Sequence, residues 1–311
     1  MDTLPASFFV KDDVKRALKL NQPVVALEST VLTHGLPPPH NLALGRDMER
    51  TVLADGTTPA TIAILHGTIR VGLTDDELVE IANTSSAMKI SRRDFAAAIA
   101  KKASGGTTVA GTMFAANKVG IKVFATGGIG GVHKEARFDV SPDLQALAST
   151  QMIIVCAGAK SILDLPATME YLETMGVPIL GYGTDEFPAF FSRRSGFKTS
   201  ARVDSPQEVA EFARAHWEIG MPSAILVCQP ISEADEIPRE EIDPIEEQAS
   251  LEAQEKKISG QALTPFLLQR VNELTDGKSM RANLALLLNN AHLAAQIAKA
   301  MAPAKPRIRA L

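Results

Sequence analysis

Two residues stand where an apolar strand gives way to a polar turn, and both carry groups that can move protons or bonds. In ALESTVLTHGLP, Glu28 is the first charge after an apolar run and is followed by Ser29, Thr30 and Thr33. A carboxylate at a strand end faces the place where α/β proteins carry out acid-base chemistry. In QMIIVCAGAK, Lys160 follows Gly158 and Ala159 at a strand-to-helix junction. An unperturbed lysine is neutral in about one molecule in 2,500 at pH 7, so an amine nucleophile there requires desolvation or a neighbouring cation. Bringing such a group to a pKa of about 7.5 corresponds to about 4 kcal/mol of bias, which an active site can supply. From position alone, a lysine snorkelling to the surface competes with that reading.

Other groups have two readings each. MKISRRD gathers Lys89, Arg92 and Arg93 around a predicted helix start, which suits a phosphate monoester or an exposed ion-paired face. FDVSPD sets Asp139 and Asp143 four residues apart around Ser141 and Pro142. Oxygen ligands of that kind suit Mg²⁺ or Mn²⁺, and the same carboxylates would also cap the helix and compensate its dipole. His34 and His133 read first as structural hydrogen-bonding groups. GGIGGVH follows a strand but fails as a dinucleotide fingerprint: counted from Gly128 and Gly130, the third glycine position holds His133, and the next helix start is near Ser141. An anion-cradling loop and a tight crossover turn remain. The absence of Walker lysine, paired CxxC, HExxH and GxSxG motifs argues against P-loop NTPases, structural zinc sites, zincins and α/β-hydrolases.

The elements that must position these groups are legible as short β-branched runs at 24–28, 60–65, 121–126, 152–157, 177–182 and 224–229. Helix starts lie between them: Ser91 with Asp94, Ser141 before Pro142, and Ser205 before Pro206 and Glu208. This alternation predicts an α/β fold, a three-layer αβα arrangement with a largely parallel or mixed central sheet and ligand chemistry at the strand ends. Beyond about residue 230 the pattern changes to three successive helices, giving a helical C-terminal part over 238–301 and a frayed tail, PAKPRIRAL. Without a low-complexity linker or an internal repeat, the 311 residues read as a single domain with its core over about 20–300.

Composition narrows the partners. With 45% hydrophobic and 22% charged residues the chain should fold throughout. A net charge of -4 with scattered Lys and Arg provides no field for nucleic acid. No apolar run is long enough for a membrane span, and the charged start MDTLPASFFVKDDVKR is unlike a signal peptide, so a cytoplasmic location is expected. Cys156 and Cys228, both inside apolar runs, read as core residues.

Taken in order, ALESTVLTHGLP, KISRRD, GGTTVAGTM, FATGGIGGVH, FDVSPDL, VCAGAKSILD, LGYGTDEFPAFF, the Ser-Gly pair before Phe197, and RANLALLLNNA resemble the pseudouridine-5'-phosphate glycosidases, or indigoidine synthase A-like family, over about 20–300. The resemblance implies a homotrimeric, divalent-metal-dependent enzyme, typically using Mn²⁺, with Mg²⁺ as an alternative. It would reversibly cleave pseudouridine 5'-phosphate to uracil and ribose 5-phosphate, an activity classified among the lyases. An ordinary glycosidase protonates a leaving oxygen, whereas here the leaving atom is a uracil ring carbon without a lone pair. Opening the ribose and adding an amine at C1′ supplies the missing route through an imine.

By matching positions the resemblance implies Lys160 as that amine and Glu28 as the acid that protonates the ring oxygen. Lys89, Val109 and the segment Ser141, Pro142, Asp143 fall at substrate-binding positions, and Thr126, His133 and Asn283 at further pocket positions. Asp139 falls at the metal position, with Asp143 a second contact to the metal through water. The stretch HKEARFD departs from the family by being shorter. Two alternatives share parts of this pattern: a Schiff-base sugar-phosphate lyase of aldolase type, and a non-catalytic sugar-phosphate binding protein.

Overall fold

The computed structural model describes residues 4–134, 139–258 and 260–303. The middle of HKEARFD and nearly all of the expected frayed tail therefore lie outside the described residues. The strands are β1 (Phe8–Val10), β2 (Val24–Leu27), β3 (Thr58–Leu65), β4 (Thr68–Val71), β5 (Met88–Ile90), β6 (Gly105–Thr107), β7 (Val123–Ala125), β8 (Val132–His133), β9 (Ile153–Cys156), β10 (Leu163–Asp164), β11 (Ile179–Tyr182), β12 (Ala201–Val203) and β13 (Ile225–Cys228). The helices are α1 (Asp12–Lys19), α2 (His40–Ala54), α3 (Asp75–Asn83), α4 (Phe95–Ala100), α5 (Val109–Val119), α6 (Pro142–Ala148), α7 (Leu165–Thr174), α8 (Pro206–Glu218), α9 (Arg239–Glu255), α10 (Leu263–Leu274) and α11 (Lys278–Met301). A π-helical turn occupies Val31–Gly35 and a 3-10 turn Gly260–Ala262.

Among the described residues, eleven strands form one sheet in the order β1-β4-β3-β2-β7-β9-β13-β11-β12, with β6 pairing to β3 and β5 to β6. From β3 to β12 the main path is parallel; the β3-β4 and β3-β6 pairs are antiparallel. β8 and β10 form a separate antiparallel pair. The central strands VVAL, IIVC and ILVC are buried at every position, the pattern of strands covered on both faces. Helix α11 packs against α2, α8, β2, β7 and β9; α5 lies against β2, β3 and β4 and is followed by α6 and α7, each in contact with the helix before it. Cys156 and Cys228 pair in register across β9 and β13, fully buried.

Local chemistry explains the helix starts. Ser141 and Ser205 cap α6 and α8, each accepting a bond from a first-turn amide and each followed by proline. The start expected at Ser91 is shifted. Helix α4 begins at Phe95 with Asp94 as its cap residue, and the Ser91 amide donates to Asp94 Oδ2 at 2.9 Å, so Arg92 and Arg93 form a turn ahead of the helix. No helix among the described residues is long and apolar enough to cross a membrane.

Candidate active site

β2 sends the chain to β3 on one side, and β7 and β9 lie on the other. The reversal of strand order at β2 opens a crevice beyond the carboxyl ends of these strands. Glu28 directly follows β2, Thr126 directly follows β7, and Lys160 lies four residues past the end of β9. Glu28 and Lys160 line one cavity of about 310 Å³, together with Lys89, Val109, His133, Asp139, Ser141, Pro142 and Asp143. Sequence positions spanning 28 to 160 are thus brought to one place by the sheet.

Glu28 is 8% exposed, and burial raises its pKa above the ordinary 4.5 against the pull of Lys160, the Thr126 hydroxyl and Lys89. Thr126, itself fully buried, donates from Oγ1 to Glu28 Oε1, so it supports the acid from behind and does not line the cavity. Lys89 comes from β5, which reaches the site because its partner β6 pairs with β3. Burial lowers the Lys89 pKa, and the charge of Lys160 lowers it further. Lys89 and Lys160 are thus like charges close enough to act on one another.

The Lys160 turn is rigidly mounted. Gly158 sits at φ +91, and a Cβ there would strike the Pro188 carbonyl. The Lys160 amide donates to Ile129 O at 3.1 Å, joining this turn to the glycine loop after β7. That loop is held by Asp143, whose Oδ2 accepts from Gly130 N at 2.8 Å while Oδ1 accepts from Ala110 N at 2.9 Å. Asp143 thus braces the loop against the start of α5, with each oxygen accepting from a backbone amide, while it also lines the cavity. Gly130 allows this approach: a Cβ there would collide with Ser141 Oγ and the Asp143 carboxylate. Ser141, not Asp139 or Asp143, supplies the cap of α6.

Asp139 lines the cavity, and its carbonyl accepts from the His133 amide at 3.0 Å. Among the described residues no cluster of three or more His, Cys, Asp or Glu side chains is disposed to hold a metal ion. One carboxylate beside hydroxyls and carbonyls fits a hard cation that keeps much of its water, as Mg²⁺ commonly does, and does not fit a closed protein cage.

Asn283 lies elsewhere, on an adjoining cavity of about 440 Å³ lined also by Thr33, His34, Phe191, Leu268 and Asn272. The π-helical turn separates the two: Thr30 before it lines the first cavity, and Thr33 to Gly35 line the second. Burial lowers the His34 pKa, and Lys89 across this wall lowers it further. His34 Nδ1 is 2.7 Å from Thr33 Oγ1.

The motif survey singled out Arg92 and Arg93 together, but only Arg93 lines the cavity; Arg92 reaches toward Ser149. Ser91, Thr108 and Thr264, not singled out from sequence, complete the wall. Asn290 was also missed. It donates to Thr126 O at 2.8 Å from within α11, and its only sequence signal is an amide in a leucine- and alanine-rich helix.

The profile of a family described as indigoidine synthase A like protein matches residues 13–300. A pseudouridine-5'-phosphate glycosidase of Solibacter usitatus is 52% identical over 291 residues, covering 93% of this chain and 97% of that protein. A pseudouridine-5'-phosphate glycosidase of Paracoccus denitrificans is 50% identical over 303 residues, covering 96% of this chain and 100% of its own. The crystal structure of an indigoidine synthase A-like protein from Thermotoga maritima superposes with a TM-score of 0.89 at 36% identity, covering 97% of this chain and 100% of that one. The crystal structure of the prealnumycin C-glycosynthase AlnA in complex with ribulose 5-phosphate gives 0.88 at 38% identity, covering 96% and 98%.

Proposed function

Since the chain belongs to the indigoidine synthase A-like family, we propose that it is a pseudouridine-5'-phosphate glycosidase that reversibly converts pseudouridine 5'-phosphate and water to uracil and ribose 5-phosphate. The observation that carries this reading is the convergence of Glu28, Lys89 and Lys160, electrostatically coupled, on one cavity of about 310 Å³.

In this reading Glu28, which burial keeps protonated to higher pH than an ordinary carboxyl, gives its proton to the ribose ring oxygen as the C1′–O bond breaks. The neutral amine of Lys160 bonds to C1′ and releases a proton. A proton then adds to the uracil ring carbon, the C1′–carbon bond breaks with its electron pair going to uracil, and the nitrogen lone pair forms the imine. Water hydrolyses the imine, which restores Lys160 and frees ribose 5-phosphate. Lys89 sets a second cation beside Lys160 and Glu28.

Lys89, Ser91, Arg93 and the start of α5 give the phosphate end a set of donors beside a helix N-terminus. The adjoining cavity offers a planar base the amides of Asn272 and Asn283 beside Phe191. Asp139 would hold the divalent cation, Mn²⁺ or Mg²⁺, whose charge would stabilise phosphate and hydroxyl oxygens. A homotrimer and a cytoplasmic setting belong to the same reading.

The test is incubation with pseudouridine 5'-phosphate and Mn²⁺, reading released uracil, followed by borohydride reduction with ribose 5-phosphate. Uracil release and a ribose 5-phosphate adduct on the peptide containing Lys160 are expected. Turnover without any adduct would remove the imine; adduct formation without uracil release would favour a sugar-phosphate lyase of aldolase type.

A further inference from the structure

Lys160 lines the 310 Å³ cavity, its neighbour Ser161 lines a separate polar cavity of about 690 Å³, and Leu163 is a wall of both. The turn from Lys160 to Leu163 is therefore the partition between them. It is closed by the Leu163 amide donating to Lys160 O at 3.1 Å and anchored by the Lys160 amide on Ile129 O.

The proposed reaction uses one face of this turn. The other face meets Glu246 of α9, which is 2% exposed. Ser161, 8% exposed, is close enough for its hydroxyl to act on the Glu246 carboxyl. Yet among the described residues neither Ser161 Oγ nor Glu246 Oε1 completes a hydrogen bond. Buried polar atoms left open are uncommon in folded proteins, and two on residues that line the same cavity are candidates for a bond that a small shift of the turn would close. The charged groups around the carboxyl are Lys134, Arg239, Asp243, Glu247 and Asp164. Burial pushes the Glu246 pKa up to about 7, so near neutrality it carries a proton in about half of the molecules and serves as donor or acceptor.

On the premise that Lys160 is the imine-forming amine, we propose that Glu246 and Ser161 form a latch that positions the Lys160 turn, closing as Lys160 engages substrate. Glu246 acts through Ser161 and touches no reacting atom.

The test compares wild type, Ser161→Ala, Glu246→Ala, Glu246→Gln and the double alanine variant. It reads uracil release from pseudouridine 5'-phosphate and amide hydrogen exchange across Lys160–Leu163. Each single alanine variant is expected to lower kcat on the order of tenfold, the scale of one hydrogen bond, with KM within about twofold. The double variant should be no slower than the singles, because both remove one bond. Glu246→Gln should stay within about threefold of wild type, since an amide can replace the acid as donor. With ribose 5-phosphate bound, exchange at the turn should quicken in the alanine variants only. Unchanged kcat in both alanine variants, additive losses, or a glutamine variant as slow as alanine would overturn the latch. If wild type releases no uracil, exchange with ribose 5-phosphate present decides: faster exchange confined to the turn in the alanine variants keeps the latch while the proposed activity falls, and unchanged exchange overturns it.

Discussion

Replacing Glu246 by glutamine should stabilise the protein increasingly as pH rises, relative to wild type. Burial in α9 lifts the carboxyl from the ordinary 4.5 to about 7. The folded state therefore binds this proton more tightly than the unfolded chain does. The resulting stability is fully present below the unfolded value and is lost as pH rises through the folded one, the reverse of a salt-bridged carboxylate. Integrated over that window, the loss approaches about 3 kcal/mol, of which about 2.5 kcal/mol falls between pH 5 and pH 8. Glutamine has no proton to lose, so the difference between variant and wild type isolates this group from the other buried acids, Glu28 and Glu49. The assay is urea unfolding at fixed protein concentration at both pH values. With a slope of about 3 kcal/mol per molar, the difference between the two midpoints should move by about 0.8 M in favour of Glu246→Gln at pH 8. A difference that stays constant from pH 5 to pH 8 would refute the buried, proton-holding state of Glu246.

Three further outcomes follow from the site. Thr126→Val removes the hydroxyl that holds the Glu28 pKa down, so the alkaline limb of the kcat profile should move to higher pH; an unmoved limb would separate Glu28 from the protonation step. Asp139→Asn should raise the Mn²⁺ concentration for half-maximal uracil release by about tenfold or more, because oxygen-ligand sites depend on ligand charge, and an unchanged metal requirement would release Asp139 from that role. Gly130→Ala puts a methyl group into Ser141 and the Asp143 carboxylate. It should cost about 1–3 kcal/mol in urea unfolding, and wild-type stability would show that the brace yields freely.

What could be read from the chain divides by the range of the interactions. The six long apolar runs appear as β2, β3, β7, β9, β11 and β13, because a strand covered on both faces must be apolar throughout. β1, β5, β6 and β12, of three residues each like β7 but without its longer apolar flanks, carry too little pattern to announce themselves, and they form because a neighbouring strand offers an edge. Lys89 shows the consequence. MKISRRD advertises a cationic turn, but the register Lys89 opposite Gly106, with Gly106 opposite Ala63 of β3, is what carries its ammonium to Glu28 and Lys160. Asp143 and Thr126 were legible as residue types and not as roles, since a carboxylate that binds two backbone amides has the same sequence as one that faces a ligand. Asn283 falls on the second cavity for a related reason: its position along α11 is set by packing against the sheet, which no local pattern reports.

The site also follows from connection order. Strand β2 is the point where the strand order reverses, and β7 and β9 are its successive neighbours on one side. Three adjacent strand ends therefore deliver Glu28, the Thr126 hydroxyl that supports it, and Lys160. An acid near a base would ordinarily neutralise it as an ion pair. Here burial raises Glu28, while a second ammonium, Lys89, places like charges around the same carboxyl. The two ammonium groups favour the ionised form of Glu28 and burial outweighs them, so the carboxyl keeps its proton to higher pH than an ordinary one. The β5-β6 annex that brings Lys89 therefore sets the electrostatic balance at Glu28, adding a second cation to the one that Lys160 supplies.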